Sequence, residues 1–102
     1  MQNCVCIVCM CDVALWGIVN NVGVPGPLGP LEWLSQSDIT QLFEVNVFGA
    51  CRVVRTFLPL LLKQSGSRVV NTSSILGRLS IPYAAPYCMT KCAIEAFSDA
   101  LR

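Results

Sequence analysis

The chain is 102 residues long, 54% hydrophobic and 13% charged, with a formal net charge of +1. No run of lysine or arginine is interleaved with aromatics and there is no acidic tail, so nucleic-acid binding is not expected. The apolar content is richer than an ordinary soluble surface requires, which predicts faces that lack their covering partners, as in part of a larger domain.

The first residues to stand out are Cys4, Cys6, Cys9 and Cys11. Four thiolates can in principle complete a tetrahedron around zinc or copper. The spacing is not the usual pair of Cys-x-x-Cys knuckles, and the intervening Val5, Ile7, Val8 and Met10 equally suit a strand or a start unrelated to the rest of the chain. No metal site is expected. No lysine or arginine precedes Asp12, no small-residue cleavage site is evident, and the apolar run is too short to span a bilayer, so membrane association is not encoded here.

Val13 to Asn20 is a short apolar run suited to a strand buried on both faces of a parallel sheet. Gly23 to Pro30 is turn chemistry. Gly23, Gly26 and Gly29 alternate with Pro25, Pro27 and Pro30 and precede no helix-compatible run, so they form a loop and no phosphate cradle; no G-x-G-x-x-G occurs anywhere in the chain. Ser35 or Ser37 can then cap a helix from about Asp38 to about Gln64, with Leu42, Val45, Gly49, Val53, Phe57 and Leu60 at helical spacing. Pro59 should bend or break it. Arg68 to Thr72 reads as the next strand, Ser73 to Ala85 as an active-site loop, and Pro86 as a helix-start proline. In the last helix Met89, Ala93, Ala96, Phe97 and Ala100 form an apolar stripe, while Tyr87, Lys91, Glu95 and Ser98 share the other side. Cys51, Cys88 and Cys92 fall on these helices and are expected to be small core residues, which fits an intracellular reducing compartment.

The chemistry is carried by Tyr87 and Lys91. Residues four apart lie one turn above each other on a helix face, so the ammonium can lie beside the phenol. A tyrosine ordinarily ionises near pH ~10, and acid–base work near neutrality requires its proton to become easier to lose by about 4 kcal/mol. One cation at about 4 Å supplies a Coulomb energy of that order at an effective dielectric of about 20. Ser74, thirteen residues upstream at a strand end, can hydrogen-bond the same substrate oxygen while a hydride moves at the adjacent carbon. Taken alone, Tyr-x-x-x-Lys is common on half-buried helices. Here it stands with Asn20-Asn21-Val22-Gly23 after an apolar run, with Asn46 inside an apolar helical stretch, and with Asn71-Thr72-Ser73-Ser74 after Arg68-Val69-Val70.

With these motifs in this order the chain resembles the short-chain dehydrogenase/reductase family. The resemblance implies an α/β fold, a partial Rossmann-type doubly wound parallel sheet, in which residues 13–102 form the central part of the domain and residues 1–12 a cysteine-rich start outside it. It implies that Asn46, Ser74, Tyr87 and Lys91 are a catalytic tetrad. Ser74 would also bind substrate, and Asn20, Tyr87 and Lys91 would contact a nicotinamide cofactor, NAD in preference to NADP. Asn46 would distort its helix so that a carbonyl holds a water in a proton relay, which Gly49 permits. Leu15-Trp16-Gly17, Leu58-Pro59-Leu60, Leu76-Gly77-Arg78 and the segment from Glu95 to Arg102 look like the branch of retinol, 17-beta-hydroxysteroid and 3-hydroxybutyrate dehydrogenases. The implied reaction interconverts an alcohol and its ketone or aldehyde in a retinoid, a steroid or a short hydroxy acid. The same resemblance implies a homodimer through the two long helices and a location at the endoplasmic reticulum or in the mitochondrion. Val22 departs from the family's usual alanine. The matched motifs begin at a fourth strand and stop on the catalytic helix. An alternative is a truncated chain without activity that serves at most as an interaction module.

Overall fold

The computed structural model describes residues 6–11 and 14–102. A three-stranded sheet runs in the order β1 (Cys6–Cys11), β2 (Ala14–Asn20), β3 (Arg68–Asn71). β2 and β3 are parallel, with Asn20 opposite Asn71, and the 21–67 connection between them carries the helices, as a parallel pair demands. β1 pairs antiparallel with β2. Cys4 lies outside the described residues, as do the side chains of Cys6, Cys9 and Cys11, and with them the question of a thiolate cluster.

β2 is not a regular alternating strand. Cys9 lies opposite Gly17 and Met10 opposite Leu15, so Trp16 is the extra residue of a bulge. The bulge offsets the two-residue period, and Leu15 and Ile18 both enter the core although three positions apart, while Trp16 stays 45% exposed. Burial on both faces is therefore not what the chain shows. On β3 Val69 faces the core and Val70 is exposed, so the helices cover one side of the sheet.

The first helical segment, α1 (Gln36–Phe43), starts at Ser35. The Ser35 Oγ accepts from the Asp38 backbone N–H at 3.1 Å and the Asp38 carboxylate accepts from the Ser35 N–H at 2.9 Å, a capping box. The Ser35 hydroxyl, donating to the Asp38 carboxylate at 2.7 Å, and then the Ser35 N–H hold that carboxyl below its ordinary value. The helix continues without a break through a π segment, Glu44–Phe48, into α2 (Gly49–Leu61). It ends at Leu61 and not at Gln64, and Pro59 sits inside its last turn without breaking it. So near the end a proline forfeits one backbone bond, and Leu62 N–H still reaches the Leu58 carbonyl at 3.0 Å. Leu61, and not Leu60, packs with Leu15 and Ile18, with Val53, Phe57 and Val69 around them.

The loop after β3 contains a short 3-10 turn, Ile75–Gly77, and α3 (Ala85–Ala100) starts with Pro86 in its first turn. Its buried face is Pro86, Cys88, Thr90, Lys91 and Ile94. The expected stripe is displaced: Met89 is 53% exposed, and Ala96 and Ala100 are exposed as well. Alanine is compatible with either environment, so its spacing does not fix the face, whereas the polar Thr90 and Lys91 are drawn inward by hydrogen bonds to Asn46 and to the Thr72 carbonyl. Of the three helical cysteines Cys88 is buried, Cys51 intermediate and Cys92 exposed, the last donating its S–H to the Gly77 carbonyl at 3.3 Å. Among the described residues no helix is long and apolar enough to cross a membrane.

Candidate active site

The carboxyl ends of β2 and β3 lie side by side because the parallel register pairs Asn20 with Asn71. The Asn20 Nδ2 donates to the Asn71 Oδ1 at 2.8 Å, and the Asn71 Nδ2 donates to the Ser98 Oγ at 2.9 Å. Ser98 in turn donates to the Ile94 carbonyl at 2.8 Å. Two strand ends and α3 are thus fastened by one polar chain. Buried amides require such partners, since an unpaired one costs about 1–3 kcal/mol.

Asn46 occupies the middle of the π segment and is 2% exposed. Its Oδ1 accepts from the Val24 N–H at 2.8 Å and its Nδ2 donates to the Val24 carbonyl at 2.8 Å. The same Nδ2 donates to the Thr90 Oγ1 at 3.1 Å. A π turn re-aims one side chain out of an otherwise regular helix, and here it sends the carboxamide across to the loop after β2 and to α3.

Lys91 is 4% exposed, and its Nζ lies 5.6 Å from the centroid of the Tyr87 ring. The ammonium donates to the Thr72 carbonyl at 3.3 Å. A Cβ on Gly23 would come within 3.1 Å of the Lys91 Nζ and 3.8 Å of the Asn46 Oδ1, so glycine is what lets the loop close over the ammonium. Tyr87 is half-buried beside it. Ser74 heads the Ile75–Gly77 turn, where its Oγ accepts from the Leu76 N–H at 3.2 Å. Among the described residues no hydrogen bond joins Ser74 to Tyr87. The strand end that carries Ser74 is nonetheless tied to α3, because the neighbouring Ser73 Oγ donates to the Lys91 carbonyl at 3.4 Å. Further along, Arg78 pairs with Glu95 at 2.7 Å. The loop after β2 is joined to the segment before α3 by the Gly29 N–H and the Tyr83 carbonyl, 2.9 Å apart.

Asn46, Tyr87 and Lys91 are therefore brought to one place, Ser74 to the adjoining strand end, and Asn20 to the base of the same loop. A cavity of about 340 Å³ lies behind them between sheet and helices, lined by Asn20, Asn46, Asn71, Thr72 and Ile94 among others, but not by Tyr87 or Ser74. Thr90 and the Thr72 carbonyl are site groups that the sequence pattern did not single out, and Asn71 stood in it only as part of a polar run. A β-branched hydroxyl between Tyr87 and Lys91 was a signal for the first, since threonine in mid-helix competes with the backbone for hydrogen bonds.

Burial pushes the Lys91 ammonium below the ordinary lysine value of 10.5. The Ser73 hydroxyl and then Arg78 hold the Glu95 carboxyl below its ordinary value. For Lys91 the consequence for stability has a definite sign. Below its folded value both states carry the proton and the burial penalty is full. Between that value and 10.5 the unfolded chain binds more protons, so stability rises with pH, and above 10.5 the penalty is gone. Denaturation midpoints should thus climb as the pH approaches 10.5, and Lys91→Met should remove that contribution. Equal slopes for the two proteins would contradict the assignment.

A buried ammonium beside a phenol, with a hydroxyl on the next strand end, can move a proton to or from an oxygen and stabilise charge there. Residues 9–102 match the family model described as short chain dehydrogenase. Retinol dehydrogenase 16 of Mus musculus is 47% identical over 88 residues, covering 86% of this chain and 27% of the relative. The mitochondrial D-beta-hydroxybutyrate dehydrogenase of Mus musculus is 49% identical over 91 residues, covering 89% of this chain and 26% of the relative. The chain spans about a quarter of the length of these two proteins. Among solved structures, a short chain dehydrogenase/reductase from Burkholderia phymatum in complex with NAD superposes with a TM-score of 0.78 at 35% identity, covering 88% of this chain and 31% of that one. ElxO with NADP bound gives a TM-score of 0.80 at 27% identity, covering 88% and 36%. The partial Rossmann-type fold is confirmed by these superpositions, and the chain belongs to the short-chain dehydrogenase family.

Proposed function

We propose that the chain carries the proton-transfer site and the nicotinamide end of an NAD(P)(H)-dependent oxidoreductase that interconverts an alcohol and its ketone or aldehyde. The observation that carries the reading is the buried Lys91 ammonium lying over the Tyr87 ring beside the anchored Asn46. In reduction the Tyr87 hydroxyl gives its proton to the carbonyl oxygen, and in oxidation the phenolate takes it back. Ser74 donates to the same oxygen and fixes its direction, Lys91 stabilises the phenolate, and Asn46 holds the turn from which the proton is replaced.

The residues present fit the nicotinamide end of such a cofactor. An ammonium has three donors, and one of them serves Thr72, which leaves others for ribose hydroxyls. Gly23 presents no Cβ beside that ammonium, and Asn20 lies at the base of the same loop. When bound, the cofactor supplies or accepts the hydride at the carbon next to the oxygen. NAD is the cofactor favoured here, the solved relatives holding NAD in one case and NADP in another. The proposed substrate is a small-molecule alcohol or carbonyl of the retinoid, steroid or short hydroxy-acid kind. The proposed location is the endoplasmic reticulum or the mitochondrion, the latter being the compartment in the name of one relative. Two copies would pair through the long helices, where Met89 is exposed.

Titration with NADH, followed by its fluorescence, tests the reading. Saturable binding is expected, weakened about tenfold or more in Lys91→Ala, a loss of at least about 1.4 kcal/mol. A folded chain that binds no NADH would overturn it.

A further inference from the structure

We propose that Thr90 is a positioning residue that fixes the Lys91 ammonium relative to the Tyr87 ring, a proposal that rests on the reading of these two side chains as the reacting pair. Thr90 is fully buried at 0% exposure, and its hydroxyl is used in both senses. It donates to the Tyr87 carbonyl at 2.7 Å and accepts from the Asn46 Nδ2 at 3.1 Å. In a regular helix the Tyr87 carbonyl is the acceptor of the Lys91 N–H. The hydroxyl thus acts on the peptide unit that closes the one turn between the phenol and the ammonium.

The other end of this connection cannot drift. The Asn46 carboxamide is clamped on both the N–H and the carbonyl of Val24. Val24 follows Gly23, whose missing Cβ leaves room for the Lys91 Nζ. A path from Val24 through Asn46 and Thr90 to Tyr87 therefore begins next to Gly23 and ends at Tyr87, the two residues beside the ammonium. A valine at position 90 would fill the same space but lose both bonds. The Asn46 Nδ2 would keep only the Val24 carbonyl, and the Tyr87–Lys91 turn would lose its lateral tie. A buried hydroxyl in mid-helix, where it competes with the backbone, is accounted for by this task.

The test uses the whole chain with labelled tyrosine and lysine, since only Tyr83 and Tyr87, and only Lys63 and Lys91, occur in it. A nuclear Overhauser contact between the Lys91 ε-protons and the Tyr87 ring protons is expected in the parent chain, where the Nζ is 5.6 Å from the ring centroid. Thr90→Val is expected to abolish that contact or weaken it several-fold, and Thr90→Ser to restore it. NADH affinity should fall several-fold in Thr90→Val and recover in Thr90→Ser. An undiminished Lys91–Tyr87 contact in folded Thr90→Val would overturn the proposal. Should valine prevent folding, Thr90→Ala is read in the same way, and loss of folding in both would make Thr90 a structural residue and likewise overturn it. A contact that responds as expected in a chain that binds no NADH would refute the oxidoreductase reading and leave the positioning role standing.

Discussion

Ile18→Ala is expected to lower the unfolding free energy by about 3 kcal/mol, within the roughly 2–5 kcal/mol usual when a large aliphatic side chain is truncated in a closed core. Ile18 is wholly buried and packs with Leu15 and Leu61 under α2. Removing three carbons there forfeits their transfer free energy and leaves a void that the surrounding Val53, Phe57 and Val69 fill only in part. Trp16 is larger and only two positions away, yet as the bulged residue it is 45% exposed, and Trp16→Ala should cost less than about 1 kcal/mol. Urea denaturation of the two variants decides the matter. With a slope of about 2 kcal/mol per molar, Ile18→Ala moves the midpoint down by about 1.5 M. If Trp16→Ala proved the more damaging, the assignment of the bulge and of the one-sided core would both be wrong.

This contrast also marks how far the sequence can be read. The run from Val13 to Asn20 is legible as a strand from composition alone, because a short stretch of branched residues ending in polar ones suits a parallel sheet. Which of its side chains face the helices is not legible. A bulge shifts the two-residue period by one, and it depends on the facing strand, whose register no local pattern specifies. The same holds for α3. Its helical period is plain, but an alanine-rich surface fits two orientations, and the buried one proved to be the face carrying Thr90, Lys91 and Ile94. Polar residues win that face because Asn46 and the Thr72 carbonyl, distant in sequence, wait there to pair with them.

The site shows a similar division. Tyr87 and Lys91 are neighbours by helix geometry, and their approach results from four-residue spacing alone. Asn46 could be singled out because a carboxamide in an apolar helix demands partners, but its partners could not be named. They are the backbone of Val24 and the hydroxyl of Thr90, reached only because the helix widens into a π turn between Glu44 and Phe48. Asn71 was visible as part of a polar run, and its bond to Asn20 can be inferred only once the parallel register is known. The ties across elements escaped the sequence because they depend on register and not on any one segment.

Those ties make Asn46→Leu the most informative change in the site. Leucine has the same branching and number of heavy atoms and a better helix propensity, so a purely local account would have it neutral or stabilising. The structure dictates the opposite. The substitution removes three hydrogen bonds at once, leaving the Val24 N–H and carbonyl without their partner and the Thr90 hydroxyl with only its bond to the Tyr87 carbonyl. Val24 lies in a partly buried loop, where water can replace some of what is lost, whereas Thr90 is sealed. Assigning about 1–3 kcal/mol to each deprived buried group and discounting the wetter ones gives an expected loss of about 3 kcal/mol. Asn46→Leu should also loosen the loop carrying Gly23 from the Lys91 ammonium, so NADH affinity should fall even at temperatures where the variant remains folded. Stability and affinity measured on the same variant separate the two roles. A large loss of stability with unchanged affinity would confine Asn46 to the architecture, and a loss of affinity at full stability would remove the anchoring argument built on its hydrogen bonds.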